Sequence, residues 1–267
     1  MKKHYAVITG ASSGLGAEFA RQLSQEGYSL VLAARREDRL KELAAEIRKL
    51  QKESLNGGDE MPDIRIITED LSTIEGCRSL MEKIRDIPIG IFINNAGFGD
   101  CGRFLETDEE KELSMINVNV RALHLLTKLA LRRFEAQNGG YLLNVASSAG
   151  LIPAGPYMSA YYATKAYAAS LTRGIAQELK EAGSRVYVGA LCPGPVDTEF
   201  NTVANVEFAL PGITPEYCVR EAIRGMKKRQ IVIVPSPRMK LATGFGRHLP
   251  ESLYIAAAGH QQKKKLG

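Results

Sequence analysis

With 267 residues, 45% of them hydrophobic, the chain is long enough and apolar enough to fill a sizeable core, which argues against a disordered or fibrous protein. The formal net charge is +5, and residues 236–267 account for the whole excess, since six Lys and Arg residues there stand against one Glu. The rest of the chain is near neutral, so a nucleic-acid binder with basic residues spread over a surface is not expected.

Targeting and metal-binding signals are missing from the sequence. No apolar run approaches the roughly 18 to 20 residues that span a bilayer, and the apolar stretch after Lys2 and Lys3 is too short for a secretory signal. The four cysteines contain no C-x-x-C pair and the four histidines show no ligand spacing. We therefore predict a cytoplasmic protein that binds no metal, membrane or nucleic acid.

Short β-branched runs alternate with longer periodic segments, which is the pattern of βαβ units and a parallel sheet. Helical periodicity is clearest in the run from Arg39 to Leu50, and the segment from Ser54 to Pro62 is predicted to be a surface loop. The predicted strands are His4 to Thr9, Ser29 to Ala34, Ile64 to Glu69, Ile89 to Asn94, Tyr141 to Ala146, Arg185 to Leu191 and Ile231 to Val234. Together they predict a single α/β domain in three αβα layers, with a doubly wound, Rossmann-like, seven-stranded parallel sheet.

The first predicted strand leads into a glycine-rich turn, Gly10-x-x-x-Gly14-x-Gly16, and a helical pattern begins at once. Glycines let the backbone approach a pyrophosphate, and free N–H groups at a helix start face the anion. The spacing differs from the general G-x-G-x-x-G fingerprint, and such a sequence can also be no more than a tight turn. With a strand before it and a helix after it, we interpret it as a nucleotide-binding turn.

The second predicted strand ends at Arg35 and Arg36. Arginine at this position complements the 2′-phosphate of NADP, whereas an acidic residue would bind the ribose hydroxyl of NAD. Glu37 and Asp38 follow, but they fall where the next helix begins, and acidic side chains are favourable there for the helix dipole. We therefore predict NADP(H) as the cofactor, with Arg35 as the main phosphate ligand and Arg36 assisting.

Tyr161 and Lys165 lie one turn apart in a strongly helical segment, so their side chains are neighbours. A tyrosine that acts as an acid or base at neutral pH needs its pKa to fall from about 10 to near 7, a change of about 4 kcal/mol. One ammonium at about 4 Å contributes about this much at an effective dielectric constant of about 20. Such pairs are also common on surfaces, so the pair alone does not decide its role.

Other polar residues follow the predicted strands. Ser147 and Ser148 end the fifth strand, and Asn94 to Gly97 follow the fourth. In an open parallel sheet, ligands bind outside the carboxyl ends of the strands. We therefore expect these groups to meet the glycine turn in one crevice, where a serine hydroxyl can bind a carbonyl oxygen as negative charge develops on it.

Taken together, these motifs resemble those of the short-chain dehydrogenase/reductase family in its single-domain, NADP-preferring form. They occur in the family's order and spacing between Thr9 and Thr198. The matching segments are Thr9-Gly10-x-x-x-Gly14-x-Gly16, Asp70-Leu71, Asn94-Asn95-Ala96-Gly97, Asn117-Val118-Asn119, Ser148, Tyr161-x-x-x-Lys165 and Pro193-Gly194-x-Val196-x-Thr198.

The resemblance implies four catalytic residues. Tyr161 donates a proton to the carbonyl, and Lys165 lowers the pKa of Tyr161 and holds the nicotinamide ribose. Ser148 orients the carbonyl oxygen; it is chosen over Ser147 because the family's serine lies thirteen residues before the tyrosine. Asn119 holds a water that relays protons to Lys165. Tyr162 has no lysine four residues on and is predicted to take no part.

The resemblance also implies the cofactor contacts. Asp70 and Leu71 flank the adenine, while Thr198 contacts the carboxamide. The full predicted cofactor set is Gly10, Ser12, Ser13, Gly14, Leu15, Gly16, Arg35, Arg36, Asp70, Leu71, Asn95, Ala96, Gly97, Tyr161, Lys165, Pro193, Gly194, Val196 and Thr198.

No charged residue occurs between Ser148 and Thr164, where a substrate carboxylate would need a guanidinium. We therefore predict a neutral, fairly apolar ketone or aldehyde, bound near Leu151, Ile152, Pro153, Ala154, Tyr157 and Met158. An apolar stretch after Thr198, without regular period, is predicted to be a lid that excludes water, although a packed loop would have the same composition. The predicted domain is 1–235, with this lid at about 196–213, followed by a basic extension over 236–267.

The sequence thus predicts an NADP-dependent carbonyl reductase or hydroxysteroid-type dehydrogenase acting on CH–OH and C=O groups. The alternatives are a 3-oxoacyl-carrier reductase and a non-catalytic NADP(H)-sensing binding protein, and intact Ser148, Tyr161 and Lys165 favour the enzyme. The resemblance also implies a homodimer or homotetramer. The apolar helix containing Leu123 and Phe134 could form its interface, but core packing explains the same residues.

Overall fold

The computed structural model describes residues 4–54, 61–204, 212–246 and 248–263. Its strands are Tyr5–Thr9 (β1), Ser29–Ala34 (β2), Ile64–Thr68 (β3), Ile89–Asn94 (β4), Gly140–Val145 (β5), Val186–Leu191 (β6) and Val232–Ile233 (β7). Each strand end lies within about one residue of the position predicted from β-branched runs and turn residues.

The seven strands form one parallel sheet in the order β3-β2-β1-β4-β5-β6-β7. The chain begins in the middle of the sheet, runs outward to β3, then returns to β4 and runs outward to β7. This order confirms the predicted doubly wound α/β fold. The direction reverses between β1 and β4, and in such sheets the crevice at the carboxyl ends of these two strands is where ligands bind.

Helices cover both faces of the sheet. The α-helices are Gly14–Gln25 (α1), Glu37–Ser54 (α2), Ile74–Lys83 (α3), Glu109–Ile116 (α4), Leu123–Ala136 (α5), Ser159–Glu181 (α6), Phe200–Val203 (α7), Pro215–Lys227 (α8), Pro237–Gly246 (α9) and Glu251–Lys263 (α10). Since side chains alternate along a strand, Ile8 of β1 packs with α1, α2 and α8, whereas Val7 packs with α3, α5 and α6. Among the described residues, no helix is both long and apolar enough to cross a bilayer.

The apolar residues of α5 are used inside the chain. Leu123, Leu126, Ala130 and Phe134 are all buried against the sheet and its neighbouring helices. Packing inside the core therefore explains the apolar pattern of α5, which was also compatible with a subunit interface.

A buried polar network fixes α5 and α6 against β4 and β5. Asn94 Nδ2 donates to Asn144 Oδ1 at 3.1 Å, and Thr127 donates to the same oxygen at 3.0 Å. Asn144 Nδ2 in turn donates to Thr172 Oγ1 at 2.9 Å. All four side chains are buried, where a satisfied network is rigid and specific. It holds α6, which carries Tyr161, in a fixed position on the sheet.

The described part of residues 236–267 folds back onto the domain as α9 and α10. A Cβ on Gly194 would lie 2.4 Å from Met239 Cγ of α9, and a Cβ on Gly259 of α10 would lie 3.0 Å from Pro156 Cγ. Of the predicted lid, α7 is described, whereas Val206, Phe208, Ala209, Leu210 and Pro211 lie outside the described residues. Residues 55–60 of the predicted surface loop also lie outside them.

Candidate active site

The glycine positions in the turn between β1 and α1 do not tolerate side chains. Gly10 and Gly14 have φ values of 65° and 53°, in the left-handed region that favours glycine. A Cβ on Gly16 would lie 2.2 Å from the Gly10 carbonyl oxygen. The helix α1 starts directly at Gly14 with no acidic residue in its first turn. Its first N–H groups therefore form an anion-binding site suited to a pyrophosphate.

The end of β4 supports this turn. Asn95 Nδ2 donates to the carbonyl oxygens of Thr9 at 2.9 Å and Gly10 at 3.3 Å. The Thr9 hydroxyl accepts from the backbone N–H groups of Asn95 and Ala96 at 2.9 and 3.0 Å. These bonds join the two strands on either side of the crevice, so the shape of the turn is fixed before any ligand binds.

Of the two arginines after β2, Arg36 contacts the glycine turn. Its guanidinium donates to Ser13 Oγ at 2.9 Å and to Ser12 Oγ at 3.2 Å, and it pairs with Glu199 at 3.1 Å. Arg35 lies at the same end of the cavity, beside Asp70, whose pKa is lowered mainly by the hydrogen bond from the Ser72 backbone N–H and to a smaller extent by the charge of Arg35. Both arginines therefore line this end of the cavity, and a guanidinium can bind a phosphate through two hydrogen bonds.

A single cavity of about 820 Å³ joins this end to Tyr161. Among the described residues, every predicted cofactor contact except Gly16 lines it, and Asn119 is the one predicted catalytic residue that does not. Gly16 lies beneath the Gly10 carbonyl, and Asn119 lies behind Gly97. A cavity of this size is in the range of small-molecule sites, and it runs along the carboxyl ends of the central strands.

Tyr161 and Lys165 are both buried on α6 at the far end of the cavity. Lys165 Nζ donates to the Val145 carbonyl oxygen at 3.0 Å and lies 5.8 Å from the centroid of the Tyr161 ring. Burial raises the pKa of Tyr161 to about 12 and lowers the pKa of Lys165 to about 8. The pKa of Tyr161 was expected to fall, and it rises because removing the phenol from water disfavours its charged form. At neutral pH the phenol therefore keeps its proton.

The serine beside the phenol is Ser147. A side-chain hydrogen bond with Ser147 acts to lower the pKa of Tyr161, against the effect of burial. Ser148 instead starts a short 3-10 turn, Ser148–Leu151, and its backbone N–H donates to Pro193 at 2.7 Å.

The hydrogen bond to the phenol favours Ser147 over Ser148, which was chosen by its distance in sequence from Tyr161, and both serines line the cavity. Residues 152–158 between the two segments are irregular, and Tyr157 has a φ of 67°. An irregular segment can hold one residue more without moving the elements on either side of it. The number of residues between a serine and Tyr161 therefore does not determine which hydroxyl faces the phenol.

Asn119 lies in a π-helical segment, Asn117–Ala122, between α4 and α5. Its Nδ2 donates to the Phe98 carbonyl oxygen at 2.8 Å and to Thr164 Oγ1 at 3.1 Å. A Cβ on Gly97 would lie 2.8 Å from Asn119 Oδ1 and 3.4 Å from Lys165 Nζ. The asparagine and the lysine therefore flank the same glycine, and π-turns of this kind are frequent at functional sites.

A family model described as short chain dehydrogenase matches residues 4–207. The chain belongs to the short-chain dehydrogenase/reductase family. The family predicted from the sequence motifs is thereby confirmed.

Three relatives of this short-chain dehydrogenase are informative. The very-long-chain 3-oxoacyl-CoA reductase-A of Danio rerio is 28% identical over 223 residues, which are 79% of this chain and 63% of the relative. The chain thus spans less than two thirds of that curated relative. A short-chain dehydrogenase from Sphingobium yanoikuyae, solved in complex with NADPH, is 31% identical with a TM-score of 0.79, covering 92% of this chain and 94% of the other. A 7beta-hydroxysteroid dehydrogenase structure is 26% identical with a TM-score of 0.82, covering 96% of both chains.

Only some of the residues predicted to lie near the substrate line the cavity of this short-chain dehydrogenase. Within the described ranges, Ile152 and Met158 line the cavity, whereas Leu151, Pro153, Ala154 and Tyr157 do not. In the predicted lid, the ring of Phe200 lies 5.6 Å from that of Tyr161, centroid to centroid. Lys111 Nζ holds the end of α7 by donating to Val203 at 3.3 Å.

Sequence reasoning missed the wall that α9 and α10 contribute. This wall is uncharged and consists of Met239, Ala242, Tyr254, Ala257, Ala258, Gln261 and Gln262. The one local signal is the run of small residues Ala256-Ala257-Ala258-Gly259, which suits close packing. This run does not indicate which part of the sheet α10 packs against. The sequence alone therefore could not place α10 at the cavity.

Proposed function

We propose that this chain is an NADP(H)-dependent oxidoreductase that interconverts a neutral, fairly apolar ketone and its secondary alcohol. One observation carries the proposal: a single cavity has a glycine turn with two arginines at one end and a buried, protonated tyrosine beside a lysine and a serine at the other. A dinucleotide laid along the strand ends would reach from one end to the other.

The residues present fit NADP(H). The close packing of Gly10 and Gly16 leaves room for a pyrophosphate at the start of α1, and Arg35 and Arg36 complement a 2′-phosphate. The relative from Sphingobium yanoikuyae, solved with NADPH, supports this choice. When bound, the reduced cofactor would supply the hydride.

Residues of the protein itself would donate the proton and bind the carbonyl oxygen. Tyr161 holds its proton at neutral pH. Its hydroxyl would donate that proton to the carbonyl oxygen once the Lys165 ammonium lowers the pKa of the phenol against the effect of burial. Ser147 supplies a hydrogen bond to the same oxygen as negative charge develops on it. Lys165 stabilises the phenolate that remains. Asn119, which flanks Gly97 together with Lys165, would hold a water that relays protons to Lys165. Phe200 covers the phenol and excludes water.

The substrate class follows from the apolar, uncharged wall around Tyr161. We favour a hydroxysteroid or another polycyclic alcohol, in line with the 7beta-hydroxysteroid dehydrogenase neighbour. A 3-oxoacyl thioester is the second candidate, because a relative is named very-long-chain 3-oxoacyl-CoA reductase. A cytoplasmic location and a homodimeric or homotetrameric state stay predictions.

The proposal is tested by following oxidation of NADPH and of NADH over a panel of steroid, acyl and small aliphatic ketones. We expect turnover with at least one apolar ketone and a preference for NADPH. Tight NADPH binding with no turnover of any ketone would instead support a cofactor-sensing binding protein.

Arg36→Ser is expected to raise the KM for NADPH by about tenfold or more, because it removes a charge-assisted hydrogen-bond donor to the 2′-phosphate. The KM for NADH should change by less than about threefold. Lys41→Ser, which removes one positive charge from the exposed face of α2, is the control. An equal rise in KM for NADPH and for NADH would show that Arg36 does not recognise the 2′-phosphate.

Ser147→Ala is expected to lower kcat by about 10²- to 10³-fold, the usual cost of losing one donor to a developing oxyanion. Ser148→Ala should change kcat by less than about threefold, since the structural role of Ser148 uses its backbone N–H. Steady-state kinetics of the two variants, with saturating NADPH, decide between the serines. A larger loss of kcat in Ser148→Ala than in Ser147→Ala would instead assign the hydrogen bond to the carbonyl oxygen to Ser148.

A further inference from the structure

The helix pair α9 and α10 exposes four large apolar side chains to solvent. Leu241 and Phe245 lie one turn apart on α9 and are 61% and 72% exposed. Leu249 lies in the connection to α10 and Leu253 in the first turn of α10, and they are 53% and 60% exposed. Single exposed apolar residues are normal on a folded protein, whereas a cluster of them marks a surface that binds a partner or a membrane.

Contacts between the two helices hold this surface in place. A Cβ on Gly246 of α9 would collide with the ring of Tyr254 of α10. The Tyr254 hydroxyl donates to the Ala242 carbonyl oxygen at 3.4 Å. The exposed apolar side chains are therefore carried by a packed pair of helices, not by a loose strand of chain.

The same helix pair forms the edge of the cavity that contains Tyr161. Ala242 of α9 and Ala257 of α10 line this cavity and are also exposed at the surface of the protein. Phe245 lies one turn after Ala242, and Leu253 lies one turn before Ala257. The exposed apolar surface therefore adjoins the mouth of the cavity.

The charges around this apolar surface are basic. Arg238 and Lys240 on α9 and Lys263 on α10 are exposed. In sequence, residues 236–267 contain six Lys and Arg residues against Glu251 alone. Apolar side chains with basic residues around them are typical of helices that lie on anionic membranes.

These charges also distinguish a membrane from a second copy of the chain. A twofold interface places the same patch of both subunits together, so the basic residues of one copy would face those of the other, and like charges placed together oppose association. The negative headgroups of a lipid surface complement the same charges. Arg238 lies on the same side of α9 as Leu241 and Phe245, so one surface can contact headgroups and acyl chains together.

We propose that the helix pair α9 and α10 docks on an anionic lipid bilayer. Leu241, Phe245, Leu249 and Leu253 enter the boundary between headgroups and acyl chains, and the basic side chains lie among the headgroups. The prediction that the chain binds no membrane rested on the lack of a spanning segment, and docking of this kind needs none. It places the mouth of the cavity against the bilayer, into which apolar ketones partition. Docking does not depend on the proposed reaction, so either can fail without the other.

A single fluorophore tests the contact directly. The chain contains no tryptophan, so Phe245→Trp places one indole on the proposed surface. On addition of vesicles of phosphatidylcholine and phosphatidylglycerol, we expect its emission to shift to shorter wavelength as the indole enters the interface. Ile231→Trp is the control, because Ile231 is 40% exposed and precedes β7, at the edge of the sheet opposite the cavity. No shift in Phe245→Trp, or an equal shift in both variants, would contradict the proposal.

Flotation of the full chain with vesicles measures its partition coefficient. For the wild type we expect a value about tenfold or more higher with phosphatidylglycerol present than with phosphatidylcholine alone, falling as salt is added. Leu241→Ser/Phe245→Ser should lower partition into the anionic vesicles by about tenfold or more, because this apolar area no longer enters the bilayer. Ile231→Ser should stay within about twofold of the wild type.

The basic residues are tested by a matched pair of double variants. Arg238→Gln/Lys240→Gln should lower partition into the anionic vesicles by about tenfold or more. Lys49→Gln/Lys52→Gln removes the same charge from the exposed side of α2 and should change partition by less than about twofold.

Failure of the wild type to bind anionic vesicles, or binding that is unchanged in Leu241→Ser/Phe245→Ser, would overturn the proposal. A dimer that dissociates in this variant, measured by sedimentation, together with no binding to vesicles, would show that a second copy covers the surface instead. Because both side chains are exposed, the variant should unfold at the wild-type temperature and keep the wild-type kcat for a ketone in solution. Turnover of that ketone with NADPH tests the proposed reaction separately.

Discussion

Tyr161→Phe is expected to lower kcat for ketone reduction by about 10²- to 10⁴-fold, the range found when a positioned proton donor is removed. The change deletes one hydroxyl and keeps the ring that packs against Phe200 and Tyr162. The affinity for NADPH should therefore change by less than about threefold. Steady-state kinetics and titration of NADPH fluorescence measure the two quantities separately.

Tyr167→Phe is the matched control, because Tyr167 lies on the same helix and its hydroxyl bonds His124 on the exposed side of α6. This variant should retain wild-type kcat within about twofold. Residual activity of Tyr161→Phe within tenfold of the wild type would show that another group donates the proton, and the proposed mechanism would then be wrong.

Lys165→Met is expected to lower kcat/KM by about 10²-fold or more, because it removes the charge that stabilises the phenolate left after proton transfer. The pH dependence of kcat/KM provides a second test of the role of Lys165. Burial lowers the pKa of Lys165 to about 8, so its ammonium is charged below about pH 8 and neutral above it. For the wild type, kcat/KM for reduction should therefore fall as the pH rises through about 8.

In Lys165→Met this fall should be absent, whereas the exposed variant Lys180→Met, on the same helix, should keep it. Rates measured from pH 6 to pH 10 at constant ionic strength provide the comparison. A fall near pH 8 that is identical in the wild type and in Lys165→Met would assign the titration to a different group.

Local sequence features predicted the sheet and one half of the site. Runs such as Leu30 to Ala34 are too short and too apolar for helices, and each ends at glycine or at polar residues, so the strands could be placed to within about a residue. The glycine turn and the arginines after β2 could be identified because each acts through its position at a strand end. In a parallel sheet, that position fixes where in space a residue lies.

The rest depended on contacts that local patterns do not record. Choosing Ser147 over Ser148 requires the path of the irregular segment before α6. The rise in the pKa of Tyr161 requires knowing that both members of the pair are buried, which their spacing does not show. Gln262 and Tyr162 are separated by 100 positions, and nothing near either residue in sequence indicates that they meet.

Glu199 and Phe200 are consecutive residues that act at opposite ends of the cleft. The carboxylate of Glu199 pairs with Arg36 beside the glycine turn, and the ring of Phe200 lies against Tyr161 at the other end. A backbone shift of these two residues therefore alters both contacts in a single motion. We therefore expect that a ligand phosphate that replaces the Glu199 carboxylate on Arg36 also moves the Phe200 ring relative to Tyr161.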